Sequence, residues 1–226
     1  MAEERNGVSR REVVATVTGL ALGLRASPAV AAAGVGPSTI MIIRHAEKPT
    51  PDGMPPYGLD ADGKHDVDAL LVRGWQRAGA LARFFAPHDG AMPVAGLLRP
   101  TFLVAAASTH AHPSQRAGLT LAPLSELTGV VPDSTFGPDQ EIDAAASILR
   151  RSGVGLVAWE HKRIVDLIGA LTGGSVQGPH WSKHRFDVVL VLDREGASWR
   201  LNEVPQMLLA GDATTPLRFD RGGNDD

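Results

Sequence analysis

Arg44 and His45 stand side by side in the stretch TIMIIRHAEKP, residues 39–49, immediately behind the apolar run Ile40–Ile43. A second such pair, Glu160–His161, closes the stretch GLVAWEH. Arg116 lies in THAHPSQRAGLT, downstream of a third apolar run, TFLVAAAS at 101–108. A guanidinium offers a planar fork of N–H donors that fits an oxyanion. An imidazole near neutral pH can donate or accept a proton. Two guanidiniums and two imidazoles meeting at one point would make a receptor for an anion. A lone histidine beside a strand is commonly a satisfied structural residue, so the case rests on their meeting.

Whether they meet depends on the elements that carry them. Ile40–Ile43 is a short β-branched apolar run, the pattern of a strand buried on both faces. Pro49–Asp68, rich in Pro, Gly and Asp, reads as a loop. From Ala69 to Phe85 the apolar residues recur at helical spacing and predict an amphipathic helix. A second buried strand is expected over 101–108. Ser114 is placed to cap a helix through Leu121, with Pro123 bending or breaking it. Glu141–Arg150 reads as a helix, Val154–Trp159 as a strand, and His161–Leu171 as a helix closed by Gly173–Gly174. Phe186–Asp193 is a fourth strand, with Trp199–Glu203 as a polar-alternating edge beside it. Strands alternating with helices call for an α/β three-layer sandwich with a mostly parallel central sheet and helices on both faces. Ligands of such sheets sit beyond the carboxyl ends of the strands, where both Arg44–His45 and Glu160–His161 fall.

The bulk numbers set limits around this picture. A chain of 226 residues is expected to hold one domain with a sizeable core. A net charge of −3 and the lack of any Lys/Arg-rich run speak against nucleic acid as a partner. Cysteine is absent, which excludes disulfides, thiolate catalysis and cysteine-bound metals. Residues 1–33 have the order of an export signal: Ser9–Arg10–Arg11, a short weakly apolar stretch from Ala15 to Leu24, then small residues in SPAVAAAG. The paired arginines and Arg25 near the cleavage region suggest the twin-arginine route, with its export machinery as a partner. The apolar stretch is shorter than the ~20 residues of a membrane span, so no stable span is expected. The domain is then 34–220, with a polar tail at 221–226.

IIRHAEKP resembles the arginine–histidine signature of the histidine phosphatase superfamily, which has the phosphoglycerate mutase-like fold. The resemblance extends through RGWQRAGALARFF, SQRAGLTLAPLSELTG, VGLVAWEHKRIVDLIGAL, WSKHRFDVVLVLD and VPQMLLAGD, nearly all of residues 39–210; the last two are similar to bacterial members, and with the N-terminal signal the chain resembles an exported bacterial one. It implies a phosphatase, a phosphomonoester hydrolase with a phosphorylated small molecule or phosphoprotein as substrate and with no metal or organic cofactor. His45 would be the nucleophile that becomes a phosphohistidine. Arg44 and Arg116 would grip the phosphoryl oxygens, and His161 would donate to them. Two alternatives within the resemblance are a phosphoglycerate-mutase-type phosphotransferase and an inactive phosphate-binding or interaction module. Two departures stand out. Ala46 occupies a position commonly held by Gly, and Lys162 stands where the secreted acid-phosphatase branch has its acid. The leaving-group proton donor is therefore open among Glu141, Asp139, Glu160 or none.

Other residues that suggest chemistry are read as structural. His110 and His112 are expected to be loop residues. His180 and His184 have i,i+4 spacing, but Trp181 and the next strand argue against a helix that could align them on a metal. Asp52, Asp60, Asp62 and Asp66 lack the calcium-loop pattern and read as a solvated acidic loop.

Overall fold

The computed structural model describes residues 36–50 and 52–218. The signal segment 1–33 and the tail 221–226 lie outside the described residues. In chain order the elements are β1 (Pro37–Arg44), α1 (Val72–Phe85), β2 (Phe102–Ala105), α2 (Arg116–Thr128), β3 (Pro132–Asp133), α3 (Glu141–Leu149), β4 (Gly153–Trp159), α4 (Ile164–Thr172), β5 (Val188–Glu195) and β6 (Ser198–Pro205). The strands form one sheet in the order β3-β2-β4-β1-β5-β6.

Ile40–Ile43 and Leu156–Trp159 are all without solvent exposure, so both faces of the sheet centre are covered. Two faces of apolar side chains need two covering layers. The strand order supplies them. The chain steps from β1 outward to β2 and β3, then returns to β4 between them and β1. Right-handed crossovers in opposite directions put α1 and α2 on one face and α3 and α4 on the other. Accordingly α1 packs with α2, and α3 packs with α4. The four strands β1 to β4 run parallel, while β5 and β6 are antiparallel additions beyond β1. This is the expected three-layer α/β sandwich with a mostly parallel sheet.

Several boundaries differ from the sequence reading. Helix α1 starts at Val72, because Leu71 is extended and Leu70 bridges back to Leu59. Helix α2 starts at Arg116, and Ser114 accepts from Arg116 Nη1 instead of capping. It also runs past Pro123 to Thr128, where Gly129 ends it in the left-handed region. Packing of Leu121 and Leu124 in the core outweighs the one hydrogen bond that proline removes. His161 lies in a turn ahead of α4, which begins at Ile164. The two-residue strand β3 went unseen, being too short for any periodicity.

Beneath the loop after β1 lies a buried ion network. Arg77 on α1 is 2% exposed and donates to both oxygens of Glu47, to Gln206 Oε1 and to both oxygens of Asp212. Burial alone would lower Arg77, but its bonds to Asp212 and Glu47 outweigh that and raise it. The same loop is pressed from α1: a Cβ on Gly74 would stand 2.5 Å from the Glu47 carbonyl oxygen. Arg77→Met would leave the buried carboxylates of Glu47 and Asp212 with only the half-exposed Arg73 as a cation. It is expected to lower the unfolding free energy by about 3–5 kcal/mol in urea titrations, and Gly74→Ala to destabilise as well.

Candidate active site

His45 is the first residue beyond β1, and its main-chain N–H donates to the Trp159 carbonyl at the end of β4, 3.1 Å away. The carboxyl ends of the two central parallel strands are thereby joined where their connections leave to opposite faces. That is the crevice in which open α/β sheets bind ligands. Ala46, fully buried, holds its N–H on Thr120 Oγ1 at 2.8 Å. It has negative φ, since Asp139 and Met207 are the non-glycine residues with positive φ among those described. Alanine in place of glycine therefore carries no backbone strain here.

The imidazole of His45 is 2.8 Å from the Ala46 carbonyl through Nδ1. A carbonyl oxygen only accepts, so Nδ1 carries the proton and Nε2 keeps its lone pair. Burial, then the charge of Arg44, holds His45 well below the usual histidine range, and Arg116 and His161 add to this. The ring is therefore neutral at pH 7, with Nε2 as its basic, nucleophilic atom.

Arg44 is 1% exposed. Its Nη1 donates to three main-chain carbonyls, of Ser182, Lys183 and Arg185, at 3.1, 2.8 and 2.9 Å. Its guanidinium lies 3.8 Å from the centre of the Phe186 ring. Nε and Nη2 are buried and have no hydrogen-bond partner among the described residues. Burial lowers Arg44 to about 9 against the charges of Glu160 and Glu47, which leaves it cationic at neutral pH. His161, 7% exposed, likewise has a buried Nδ1 without a partner. Burial and Arg44 lower its pKa to about 3, so it too is neutral. Unpaired buried polar atoms are rare in folded proteins, and these three belong to residues at the end of β1 and just beyond β4, next to His45.

A cavity of about 210 Å³ opens beside His45, lined by it with Lys48, Arg116, Glu160, His112 and Asp68 among others. Of the four residues expected to surround one space, His45 and Arg116 line it. Arg44 and His161 are buried at the strand ends and do not line it. Arg116 is also less free than a two-pronged grip requires. Its Nε donates to the Ala69 carbonyl, Nη1 to Ser114 Oγ and Nη2 to the Val67 carbonyl, with Asp68 3.7 Å away. These bonds spend three of its five N–H groups, leaving one each on Nη1 and Nη2.

Lys48 lines the cavity as a second cation beside Arg116 and was missed in the sequence. Burial, then Arg116 and Arg44, lower its pKa. Its signal was position alone, three residues behind His45. Among the candidate acids, Glu160 lines the cavity as counter-charge to Arg44, Lys48 and Arg116. Glu141 is buried and accepts from Trp159 Nε1 and from the Asp139 main chain at 3.0 and 3.2 Å. Asp139 is bound by His112 and Arg163. His180 and His184 are not on a helix, and no metal-binding group of acidic, His or Cys side chains occurs among the described residues.

No protein-family model and no curated protein matches this chain. Among solved structures, it is similar to an Agrobacterium tumefaciens protein described as a candidate phosphohistidine phosphatase SixA, with 18% identity and a TM-score of 0.40. That match covers 74% of this chain and 97% of the other. A protein histidine phosphatase SixA complexed with tungstate matches with 10% identity and a TM-score of 0.46, over 74% of this chain and 97% of that one. The open reading frame Rv3214 of Mycobacterium tuberculosis matches with 14% identity and a TM-score of 0.37, over 74% and 96%.

The neutral histidines set a pH dependence of folding. In the unfolded chain each titrates near 6.5, whereas in the fold His45 stays unprotonated well below that and His161 down to about 3. Below 6.5 the unfolded state binds protons that the folded state refuses, so stability falls with falling pH. The slope is about 1.4 kcal/mol per pH unit for each such histidine. Urea unfolding is expected to show a lower free energy at pH 5.5 than at pH 7.5, and His161→Asn is expected to flatten that difference.

Proposed function

We propose that this protein is a phosphomonoester hydrolase that works through a phosphohistidine on His45. One observation carries the proposal: a neutral His45 with Nδ1 tied to the Ala46 carbonyl, beside Arg44 with two unpartnered buried donors. Nε2 attacks phosphorus, the ester oxygen leaves, and water then cleaves the P–N bond. The remaining N–H groups of Arg116 supply donors from the cavity wall, and the buried N–H groups of Arg44 and the His161 Nδ1 would add theirs to a phosphoryl group seated on His45. Charge spreads over those oxygens in the transition state, where fixed donors do most for the rate. His161 Nδ1 can donate to them only in the tautomer, or charge state, with a proton there. A bound dianion would favour that proton by opposing the effect of Arg44.

The substrate is a phosphorylated small molecule or a phosphoprotein. The cluster also supports phosphate binding without turnover, and the assay separates the two. The purified full chain is expected to release phosphate from p-nitrophenyl phosphate in the presence of EDTA. His45→Ala should release none, and Arg44→Ala should be slower by about 10²–10³-fold. Phosphate binding with no turnover would leave a binding module, and undiminished hydrolysis by His45→Ala would overturn the mechanism.

We further propose that residues 1–33 direct export by the twin-arginine route, on the strength of Arg10–Arg11 and the small-residue stretch SPAVAAAG. No helix among the described residues is long and apolar enough to cross a membrane. Cell fractionation should find the protein outside the cytoplasm, and the double change Arg10→Lys, Arg11→Lys should hold it inside.

A further inference from the structure

Hydrolysis of an alkyl phosphate needs a proton for the departing alkoxide, and the acids suggested by the sequence are poorly placed to give it. Glu141 does not line the cavity and is spent on Trp159 and the Asp139 main chain. Asp139 accepts through one oxygen from His112 and through the other from Arg163. Glu160 stands among three cations as their counter-charge. One further group on the cavity lining has the right chemistry. His112 lines it together with His45 and Arg116, and its Nε2 lies 2.7 Å from Asp139 Oδ2.

The pair is built with care. The His112 main chain is tied to Thr109 in both directions, N–H to Oγ1 at 3.0 Å and carbonyl from N–H at 2.9 Å. Asp139 is held at φ 73, a left-handed conformation that costs free energy in a residue with a side chain. Its N–H is anchored on Glu141 and its carboxylate on Arg163. A carboxylate fixed at the far nitrogen of a cavity-lining imidazole sets the ring's orientation and leaves the other nitrogen for proton transfer.

We propose that His112, positioned by Asp139, is the general acid for the leaving group, an assignment that rests on the phosphatase function above. In the first step the His45 Nε2 lone pair forms the P–N bond. The P–O bond to the leaving group breaks, and its electron pair takes the proton from His112 Nδ1. In the second step the now neutral His112 accepts a proton from water as the water oxygen bonds to phosphorus. The P–N electron pair returns to His45, and inorganic phosphate leaves. The substrates that require this device are esters of aliphatic alcohols, whose alkoxides are poor leaving groups. Aryl esters need it far less.

The test compares p-nitrophenyl phosphate with 2-glycerophosphate, using the full chain and its His112→Gln, Asp139→Asn and Glu160→Gln variants. In His112→Gln, kcat/KM for the alkyl ester is expected to fall about 10²–10⁴-fold further than that for the aryl ester. Asp139→Asn should show the same substrate-selective loss to a smaller extent, which a merely structural role would not produce. His112→Asn serves as the second variant if His112→Gln lowers the melting temperature. Equal losses on both esters, or none, overturn the assignment to His112 while leaving the phosphatase intact. A selective loss confined to Glu160→Gln moves the role to Glu160. A wild-type protein inert toward both esters overturns the phosphatase and the assignment together.

Discussion

A guanidinium buried at the end of a central strand governs this structure. Taking Arg44 out of water costs several kcal/mol unless its surroundings return the lost interactions. The chain meets part of that cost with three carbonyls from the 182–185 loop, the face of Phe186 and the negative charges of Glu160 and Glu47. The 182–185 loop is itself pinned, with Trp181 Nε1 on the Arg185 carbonyl and Arg185 Nε on Asp187. Compensation is incomplete, since Nε and Nη2 of Arg44 remain unmatched. Burial, reinforced by this cation one residue away, keeps the His45 imidazole neutral. The neutral imidazole and the unmatched donors thus stand side by side at the end of one strand.

Arg77 gives the contrast. It is as deeply buried, yet its five N–H groups all meet acceptors on Glu47, Gln206 and Asp212. A fully satisfied buried arginine is a structural clamp, here fixing the loop that follows β1. An arginine with donors to spare is something else. Both feel Glu47, whose carboxylate binds Arg77 while its charge acts on Arg44.

The central strands were legible because they obey one rule without competition. Ile40–Ile43 and Leu156–Trp159 are apolar throughout, as strands covered on both faces must be, so Arg44–His45 and Glu160–His161 could be assigned to strand ends. Helix limits were less legible. The apolar spacing from Ala69 fits a helix, but Leu70 is engaged with Leu59 in a bridge that no local pattern reveals. Pro123 reads as a breaker, and core packing on either side overrules it. The polar lining of the cavity was the least legible. Which N–H groups of Arg116 are spent depends on the carbonyls of Val67 and Ala69. The pairing of His112 with Asp139 joins residues 27 apart across two loops, where neither periodicity nor spacing carries a signal.

The position of β1 bears on how the molecule is made. It is the first strand of the fold, yet it lies between β4 and β5, and Thr39 bonds to Asp193 across 154 residues. Contacts between such distant parts of a chain form slowly, because a long loop must be closed before anything is gained. On the ribosome β1 waits for both neighbours, so the pocket is assembled only after most of the polypeptide has emerged. The export route proposed above, which accepts finished proteins, would suit a domain whose pocket is built from its two ends inward.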